Sequence, residues 1–488
     1  MSDSSLKKYI YLALLIVESI ILSCIFSFLF IKGYMKGRMI QTVILIIGLM
    51  LFARILDYIV KWNDRVFLLL LMLMFVLVRM ILLRVFENGL NQISDFYTVL
   101  YNAINAHWSD FADRYYRPFP RKALYPIILN FLGYRSETKI IILQIMIQAT
   151  GALMNAYALM KLYGKKYGIL VGLLCMLIPS QVFYVFITNE EILGGFVVSF
   201  VILMAVELLC EMDQGNIISA KCAIVCFVIG GLSGIDSYLR GFTIVVILAF
   251  IIEVTIENIS RKNIKWLSVI VVILMILSVR FIVSNQVKHL IENRIGESVA
   301  TNSTIEVMYC ADNPKYGGMW NPEAYETYFN KLKENNFDFK KTGEWATNEL
   351  ITIMANNKDE MPALFLNKLE QSYGSNKAMI WWFYETLNKQ KKREFNNKYI
   401  MVSEIDEIIY YALFLLIVIG SIINIKVQDR YISICNMIVI AAIVINVFIT
   451  ESQARYKSSI LAIWFMIASW TIIKLSEYFF KVLYVSKK

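Results

Sequence analysis

Asp95 is the first residue of this chain whose type and position suit catalysis. It follows soon after a long apolar stretch, near the start of the first large polar segment, residues 87–138. A carboxylate there can take a proton from an acceptor hydroxyl if it is oriented and partly desolvated. Glu190 and Glu191 add two carboxylates in a very short turn between later apolar stretches. These acids predict general-base chemistry at a membrane surface, although a loop Asp more often caps a helix or is solvated.

Arginines form the second group of candidate residues, because a planar guanidinium suits phosphate oxygens. They lie where apolar stretches end, and the last is followed by a tyrosine: Arg84, Arg240, Arg280, Arg455 and Tyr456. A single arginine at a membrane boundary is ordinary, since its long side chain reaches the interface. Several on one side predict a site for an anionic lipid headgroup or a lipid-linked phosphate.

Other chemistries have little material in this sequence. The only histidines are His107 and His289, and seven cysteines are scattered, which disfavours a histidine metal centre, a Ser-His-Asp triad or a disulfide framework. No Walker A loop, Rossmann glycine fingerprint or HExxH motif is present. The sequence therefore does not identify a cofactor. Two alternatives stay open for Asp95, Asp110 and Asp113: they bind a divalent cation, or they are simply solvated.

Apolar helices must position these residues. The chain has 488 residues, of which 58% are hydrophobic and 18% charged, and a soluble domain of that length cannot hide so much apolar surface. The net charge of +10 arises from Lys and Arg that lie between apolar segments. That pattern is typical of membrane topology and not of a nucleic-acid-binding face.

The sequence predicts an all-α polytopic membrane protein with about twelve spans, since about 20 apolar residues cross a bilayer. The predicted spans are 9–31, 39–60, 66–86, 139–160, 168–187, 192–210, 221–236, 241–256, 266–284, 404–425, 431–449 and 459–480. The transmembrane module is residues 1–284, with further spans in residues 404–488. Between them, residues 285–403 are enough for a small soluble domain, predicted to be of mixed α/β structure.

Basic residues between the spans predict the orientation of the protein. Loops around residues 61–65, 161–166, 261–265 and 426–430 are basic and fall on one side of the predicted bundle, so that side is cytoplasmic. The loop 32–38 is also basic and counts against this assignment. Residues 87–138 and 285–403 are then extracytoplasmic, and the protein is a multi-pass protein of the cytoplasmic membrane with its site on the outer face.

Four short motifs resemble those of the GT-C glycosyltransferases, in particular the bacterial branch related to family 39, which includes the protein O-mannosyltransferases and the lipid A aminoarabinose transferase. They are the acidic segment 94–97, the acidic turn 189–191, the glycine-rich segment 230–234 followed by residues 239–241, and the segment 453–456. In the third motif Gly241 stands where the family has proline. The resemblance covers the whole layout of apolar stretches, except that two extra spans precede the acidic loop.

The resemblance implies a transferase that moves a hexose or pentose from a polyprenyl-phosphate donor to an extracytoplasmic acceptor, with inversion at the anomeric carbon. It implies that Asp95 is the general base, that Glu190 orients Asp95 or the acceptor, and that the arginines and the tyrosine named above bind the donor phosphate. The candidate acceptor-binding residues are Tyr97, Arg117 and Glu191. The sugar stays open, as does the acceptor, which is an envelope glycan, a glycolipid or a protein.

Two other functions fit the same layout. A polysaccharide polymerase or ligase of the O-antigen type also has about a dozen spans, but it would rely on external Arg and His more than on an early acid. A flippase of lipid-linked sugars would favour inverted repeats and polar groups near the middle of the bilayer. Here the charges gather at the outer boundary, which favours the transferase.

Overall fold

The structure is a computed structural model that describes residues 3–59, 63–213, 219–260, 266–301 and 303–485. Parts of two basic loops used for the predicted orientation, residues 60–62 and 261–265, lie outside these ranges. Within them the chain is helical, and the β pairing is limited to an isolated bridge between Leu90 and Leu387.

Twenty α-helices make up the described part of the chain. They are α1 Asp3–Ile31, α2 Met39–Ile59, α3 Asp64–Phe86, α4 Ser94–Asn105, α5 Arg121–Phe131, α6 Glu137–Tyr163, α7 Lys165–Leu177, α8 Pro179–Tyr184, α9 Glu190–Asp213, α10 Ala220–Asp236, α11 Thr243–Ser260, α12 Trp266–Ile295, α13 Thr304–Ala311, α14 Pro322–Glu334, α15 Phe339–Asn356, α16 Met361–Tyr373, α17 Lys377–Glu385, α18 Lys389–Val427, α19 Arg430–Phe448 and α20 Leu461–Val485. Short 3-10 or π turns lie between several of them, including Ala112–Tyr116 and Ala454–Ile460.

Nine helical segments in the described ranges are long and apolar enough to cross a membrane, and Thr243–Ile256 is a shorter apolar helix. The prediction of an all-α polytopic membrane protein is therefore confirmed. The predicted span 168–187 is not one helix, because Ile178 is extended and Pro179 begins a new helix, α8. Proline disfavours the helical conformation in the residue before it, which explains the break.

The helices differ in how much of their surface the protein covers. Trp464 and Trp470 of α20 are fully buried, so α20 lies at the centre of the bundle. In contrast, Leu69, Leu73 and Leu77 recur every fourth residue along α3 and are more than half exposed. An apolar stripe of this kind on a long helix is the surface that lipid covers.

The prediction of a mixed α/β domain at 285–403 is wrong, since the described residues there are helical. Tyr325, Tyr328, Phe329 and Leu332 are buried on one face of α14, at the spacing i, i+3, i+4, i+7 that is typical of a helix. The many aromatic residues favour strands by composition, but the helical spacing decides the structure. Helices α12 and α18 also extend into this region. We call residues 296–301 and 303–388 the inserted domain.

The inserted domain, the segment before α6 and the last interhelical turn meet at one end of the bundle. The backbone N–H of Ser452 donates to the carbonyl of Gly318 (2.8 Å), and that of Ala300 donates to the carbonyl of Arg117 (2.8 Å). The predicted catalytic loop 87–138 is itself largely helical, with α4 and α5 in it. We call this end of the bundle the site end.

Candidate active site

Asp95 lies between two cations that come from distant parts of the chain. It is the second residue of α4, and its Oδ2 accepts a hydrogen bond from Nζ of Lys122 on α5 at 2.9 Å. Nη2 of Arg455 lies 3.5 Å from the same oxygen. The Asp95 side chain is 31% exposed. Burial raises the pKa of Asp95, but Lys122 and Arg455 lower it by more, so the carboxylate is ionised at neutral pH.

Glu190 and Glu191 continue this charged group into the bundle. Both are 2% exposed and begin α9, where the helix dipole favours negative charge. Glu190 Oε1 lies 3.3 Å from Lys122 Nζ and 3.2 Å from Nη2 of Arg240, and Glu191 forms an ion pair with the same nitrogen. Because buried charges are costly unless paired, the two acids and two cations depend on one another. We call Asp95, Lys122, Glu190, Glu191, Arg240 and Arg455 the charged cluster.

Arg240 is placed by a tight turn between α10 and α11. Gly241 has φ of +69°, a conformation that suits glycine, and its N–H donates to the carbonyl of Asp236 (2.8 Å). The Asp236 carboxylate accepts hydrogen bonds from the N–H and the hydroxyl of Thr243, both at 2.8 Å. Glycine at 194 leaves room for the Arg240 chain, since a Cβ there would lie 3.2 Å from Arg240 Cγ.

Arg455 is held by its own turn and by aromatic rings. Its Nε donates to the side-chain oxygen of Gln453, and the side-chain Nε2 of Gln453 donates to Glu451 at 2.9 Å. Its guanidinium carbon lies 5.1 Å from the ring centre of Phe96 and 5.3 Å from that of Trp382. These rings favour a cation and fix its plane. The turn therefore presents Arg455 to Asp95 in one orientation.

Tyr456 contributes a ring to the same arrangement. Its hydroxyl donates to Glu451, and its ring centre lies 5.0 Å from the guanidinium carbon of Arg240 and 5.5 Å from that of Arg455. The predicted pair of residues 455 and 456 thus joins the predicted acids in one place. The roles predicted for them stay predictions.

The other predicted site residues lie elsewhere. Arg84 is mostly exposed and pairs with Glu87. Arg280 donates to Ser233 on the neighbouring helix (3.1 Å). Tyr97 is half exposed, and its ring packs beside Tyr101. Among the described residues, none of the three forms a hydrogen bond, an ion pair or a ring contact with the charged cluster.

Arg117 has a structural position. Its Nε donates to the carbonyl of Ser298 (3.1 Å), Nη1 lies 3.0 Å from Asp113 Oδ1, and the guanidinium carbon lies 3.8 Å from the ring centre of Phe337. The side chain is therefore occupied in joining the segment before α5 to the inserted domain. The other acids named as cation ligands are also separate, because Asp110 accepts from Tyr101 (3.3 Å). Within the described residues, no three His, Cys, Asp or Glu side chains form a group that could hold a metal ion.

The glycine-rich segment 230–234 serves helix packing. A Cβ at Gly230 would lie 2.6 Å from the carbonyl oxygen of Ile276, and one at Gly234 would lie 2.8 Å from that of Arg280. Small residues four apart let two membrane helices approach closely, here α10 and α12. The segment positions the turn that carries Arg240 and does not itself line the cluster.

Sequence reasoning missed Lys122, which bridges Asp95 and Glu190. The available signal was its place at the start of the amphipathic helix α5, after the basic and aromatic residues 114–121. Its pKa is raised by Asp95 and Glu190, which together outweigh the lowering due to burial. The lysine is therefore charged and shared between two carboxylates.

A small cavity of about 60 Å³ adjoins Glu191 inside the bundle, within a wider cleft. Its wall combines apolar side chains such as Phe75, Phe196 and Phe465 with polar ones such as Gln148 and Tyr184. The lining residues lie mainly on α6, α9 and α20, with Phe75 from α3 and Cys175 from α7.

Comparison with known proteins does not assign the chain to a family. No protein-family model matches the sequence, and no curated protein matches it. Among solved structures, the chain is similar to the archaeal oligosaccharyltransferase AglB from Archaeoglobus fulgidus in complex with an inhibitory peptide and a dolichol-phosphate. The identity is 13% and the TM-score 0.45, over 84% of this chain and 50% of that chain, so this chain spans about half the length of that protein.

Proposed function

We propose that this protein is a membrane glycosyltransferase that moves a hexose or pentose from a polyprenyl-phosphate donor to a hydroxyl of an envelope glycan, glycolipid or protein. The observation that carries the proposal is the charged cluster itself. One partly exposed carboxylate, Asp95, lies beside Lys122 and Arg455 at the site end of a membrane-spanning bundle. A base beside cations is what sugar transfer from a phosphate requires.

The reaction is a single displacement with inversion. The acceptor oxygen forms a bond to the anomeric carbon while the bond from that carbon to the phosphate oxygen breaks. Asp95 takes the hydroxyl proton, and polyprenyl phosphate leaves with the electron pair. Arg240 and Arg455 neutralise the negative charge that develops on the leaving phosphate. Arg240 is suited to this role because its Nε is buried and has no hydrogen-bond partner among the described residues.

Glu190 gives Lys122 an alternative partner. Lys122 Nζ is 2.9 Å from Asp95 and 3.3 Å from Glu190. An acceptor hydroxyl that binds Asp95 displaces Lys122 towards Glu190. Loss of that neighbouring charge raises the pKa of Asp95 and makes it a stronger base at the moment when it is needed.

The donor lipid fits the surroundings of the cluster. In this proposal the prenyl chain lies against apolar side chains near Glu191, such as Phe196 and Phe465, and the phosphate reaches Arg240, which pairs with Glu191. A lipid donor also accounts for a sequence with no nucleotide-binding motif, since the activated sugar arrives in the bilayer. The site operates on the extracytoplasmic face of the cytoplasmic membrane, as the basic loops predict.

The test is product formation by the full-length protein in lipid nanodiscs. Decaprenyl phosphates carrying radiolabelled mannose, glucose or a pentose are supplied with envelope extract as the acceptor, and empty nanodiscs are the control. We expect label in a new glycosidic bond with the opposite anomeric configuration to the donor, read by NMR after scale-up. In sealed vesicles, movement of the labelled lipid across the membrane without a new glycosidic bond would instead support a flippase.

A further inference from the structure

Arg121 differs from the other cations at the site end. It is the first residue of α5, beside Lys122, and it is only partly exposed. Three neighbouring cations each lie within 4.0 Å of a carboxylate oxygen: Lys122, Arg240 and Arg455. The guanidinium of Arg121, in contrast, has no hydrogen bond or ion pair to any residue in the described ranges. Burial lowers its pKa, and so does the charge of Arg240 nearby. A half-buried guanidinium without a protein partner is suited to binding an anion.

Glu306 of the inserted domain is the second unsatisfied group. It lies in the first turn of α13 and is 2% exposed, and neither carboxylate oxygen has a hydrogen-bond partner among the described residues. Burial raises its pKa well above the usual range, with only Arg121 opposing this shift. Burial without a partner favours the neutral form of a carboxyl group, and the neutral form can donate a hydrogen bond.

The fold holds these two residues near each other. The hydroxyl of Ser303, one turn before Glu306, donates to the carbonyl of Pro118 at 2.9 Å. Between Pro118 and Arg121, the ring of Phe119 packs against that of Trp320 at 5.8 Å between centres. The charge of each residue also affects the pKa of the other. Yet they do not form an ion pair within 4.0 Å, which leaves the hydrogen-bonding groups of both available.

We infer that Arg121 and Glu306 together form an oxyanion-binding point on the inserted-domain side of the site. The guanidinium supplies charge and two parallel N–H donors, and the protonated carboxyl supplies an O–H donor. The ligand is a phosphate or carboxylate group carried by a substrate, which is either the donor lipid phosphate or an acidic group on the acceptor. This inference deepens the proposed function and rests on it for the identity of the substrate.

The experiment measures binding, without turnover, to the full-length protein in nanodiscs. The probes are decaprenyl phosphate, its uncharged alcohol decaprenol, inorganic phosphate and glucuronate. Arg121→Gln is compared with Arg114→Gln, a matched control in the same segment whose guanidinium already pairs with Glu326. We expect Arg121→Gln to weaken binding of at least one anionic probe by about 10-fold or more, the loss typical of one charged hydrogen-bonding group. Decaprenol binding should not change, and Arg114→Gln should bind all probes as the unsubstituted protein does.

Glu306 is tested through its protonation state. Glu306→Gln keeps a neutral donor and should bind the sensitive probe within about threefold, whereas Glu306→Leu removes the donor and should lose about fivefold or more. Should Arg121→Gln fail to fold, Arg121→Lys keeps the charge without the fork and should still lose about threefold or more. Equal affinity of the Arg121 variants and the unsubstituted protein for every anion would overturn the inference, as would the absence of any anion binding.

The probes separate the two sources of the anion and the two proposals. If the Arg121 variants lose affinity for decaprenyl phosphate alone, the oxyanion-binding point binds the donor. If they lose affinity for phosphate or glucuronate alone, it binds the acceptor. If decaprenyl phosphate binds equally well without Arg121, and the soluble anions do too, the inference fails while the lipid donor survives. If only soluble anions bind, and bind through Arg121, the inference holds and the lipid donor is wrong.

Discussion

Asp95 and Arg455 are 360 positions apart in the chain, yet Oδ2 of the first lies 3.5 Å from Nη2 of the second. The contact joins the start of α4 to the last interhelical turn. It places a carboxylate next to a cation whose orientation is fixed by Gln453 and by aromatic rings. The contact therefore brings two distant parts of the chain together at the site end.

The first prediction concerns Lys122 and the pH dependence of activity. The pKa of Asp95 is lower in the folded protein than in the unfolded chain. The carboxylate is therefore fully ionised at any pH above the unfolded pKa, and it is protonated only when the pH falls through the lower pKa of the folded protein. Lys122→Met removes the largest contribution to that lowering, and burial then raises the pKa. We expect the acid limb of kcat/KM to move to higher pH. The control Lys391→Met removes an exposed pair with Glu394 and should leave the profile in place. An unchanged acid limb in Lys122→Met would contradict the assignment.

The second prediction concerns the glycine-rich segment. Gly234→Ala should destabilise the protein by about 1–3 kcal/mol through overpacking, because the new Cβ would lie 2.7 Å from Val283 Cβ. The matched control is Gly231→Ala, since a Cβ there has nothing within 4 Å. Thermal unfolding in nanodiscs measures both. Equal unfolding temperatures for the two variants would show that the segment does not act through packing.

The third prediction concerns Gly241, where related sequences are expected to carry proline. Proline fixes φ near −65° and has no N–H, whereas Gly241 has φ of +69° and donates to Asp236. Gly241→Pro should therefore disrupt the turn that carries Arg240, with activity reduced by about 10-fold or more if the phosphate contact is worth at least one charged hydrogen bond. Gly241→Asn, which tolerates positive φ, is the control and should stay nearer to the unsubstituted activity. A fully active Gly241→Pro would mean that this turn is placed differently.

The fourth prediction concerns the buried ion pair between Lys368 and Asp312. Their atoms are 2.5 Å apart and both side chains are fully buried, and a Cβ at Gly318 would lie 2.2 Å from the Lys368 chain. The carbonyl of Gly318 accepts a hydrogen bond from the N–H of Ser452, which lies in the turn that carries Arg455. The ion pair packs against Gly318 and therefore supports this turn. Lys368→Met leaves a buried carboxylate unpaired and should cost about 3–5 kcal/mol.

The double variant Lys368→Met with Asp312→Asn removes both charges. It should recover a large part of the lost stability, because replacing both members of a buried pair is often nearly neutral. The measurement is a double-mutant cycle by thermal unfolding, with activity recorded in parallel. Additive losses in the cycle would show that the two residues do not interact.

The fifth prediction concerns divalent cations. Asp95 and Glu190 already have Lys122 between them and arginines beside them, and a metal ion in the same place would be repelled by these charges. Turnover should therefore change by less than about twofold on treatment with EDTA, a difference under 0.5 kcal/mol. A loss of activity that is reversed by Mg²⁺ or Mn²⁺ would contradict the assignment of charge neutralisation to Arg240 and Arg455.

Parts of the fold and the site could be predicted from the sequence for identifiable reasons. Apolar stretches predicted the bundle, because lipid tolerates only long apolar helices. Counting spans also placed Asp95 and Arg455 at the same end. The partners of Asp95 were less accessible, since Lys122 is 27 positions away on a short amphipathic helix and nothing in its own sequence marks its partner.

The prediction for the inserted domain was wrong for a different reason. The mixed α/β prediction rested on the length of residues 285–403 and did not use the helical spacing of Tyr325, Tyr328, Phe329 and Leu332. Arg84 and Arg280 were grouped with the phosphate ligands by their place at span ends alone. Depth along a span does not reveal which face of a helix a side chain occupies, and both arginines have partners outside the cluster.

The most direct measurement is turnover of Asp95→Asn beside Asp110→Asn in the same membranes, with the donor that the unsubstituted protein uses. Asp110 lies in the same segment but binds Tyr101 near the surface. We expect Asp95→Asn to lose about 10²–10⁴-fold in kcat, the contribution of a positioned base, while decaprenyl phosphate binding and the unfolding temperature hold. Asp110→Asn should stay close to the unsubstituted rate. Near-normal turnover by Asp95→Asn would contradict its role as the general base and with it the proposed mechanism.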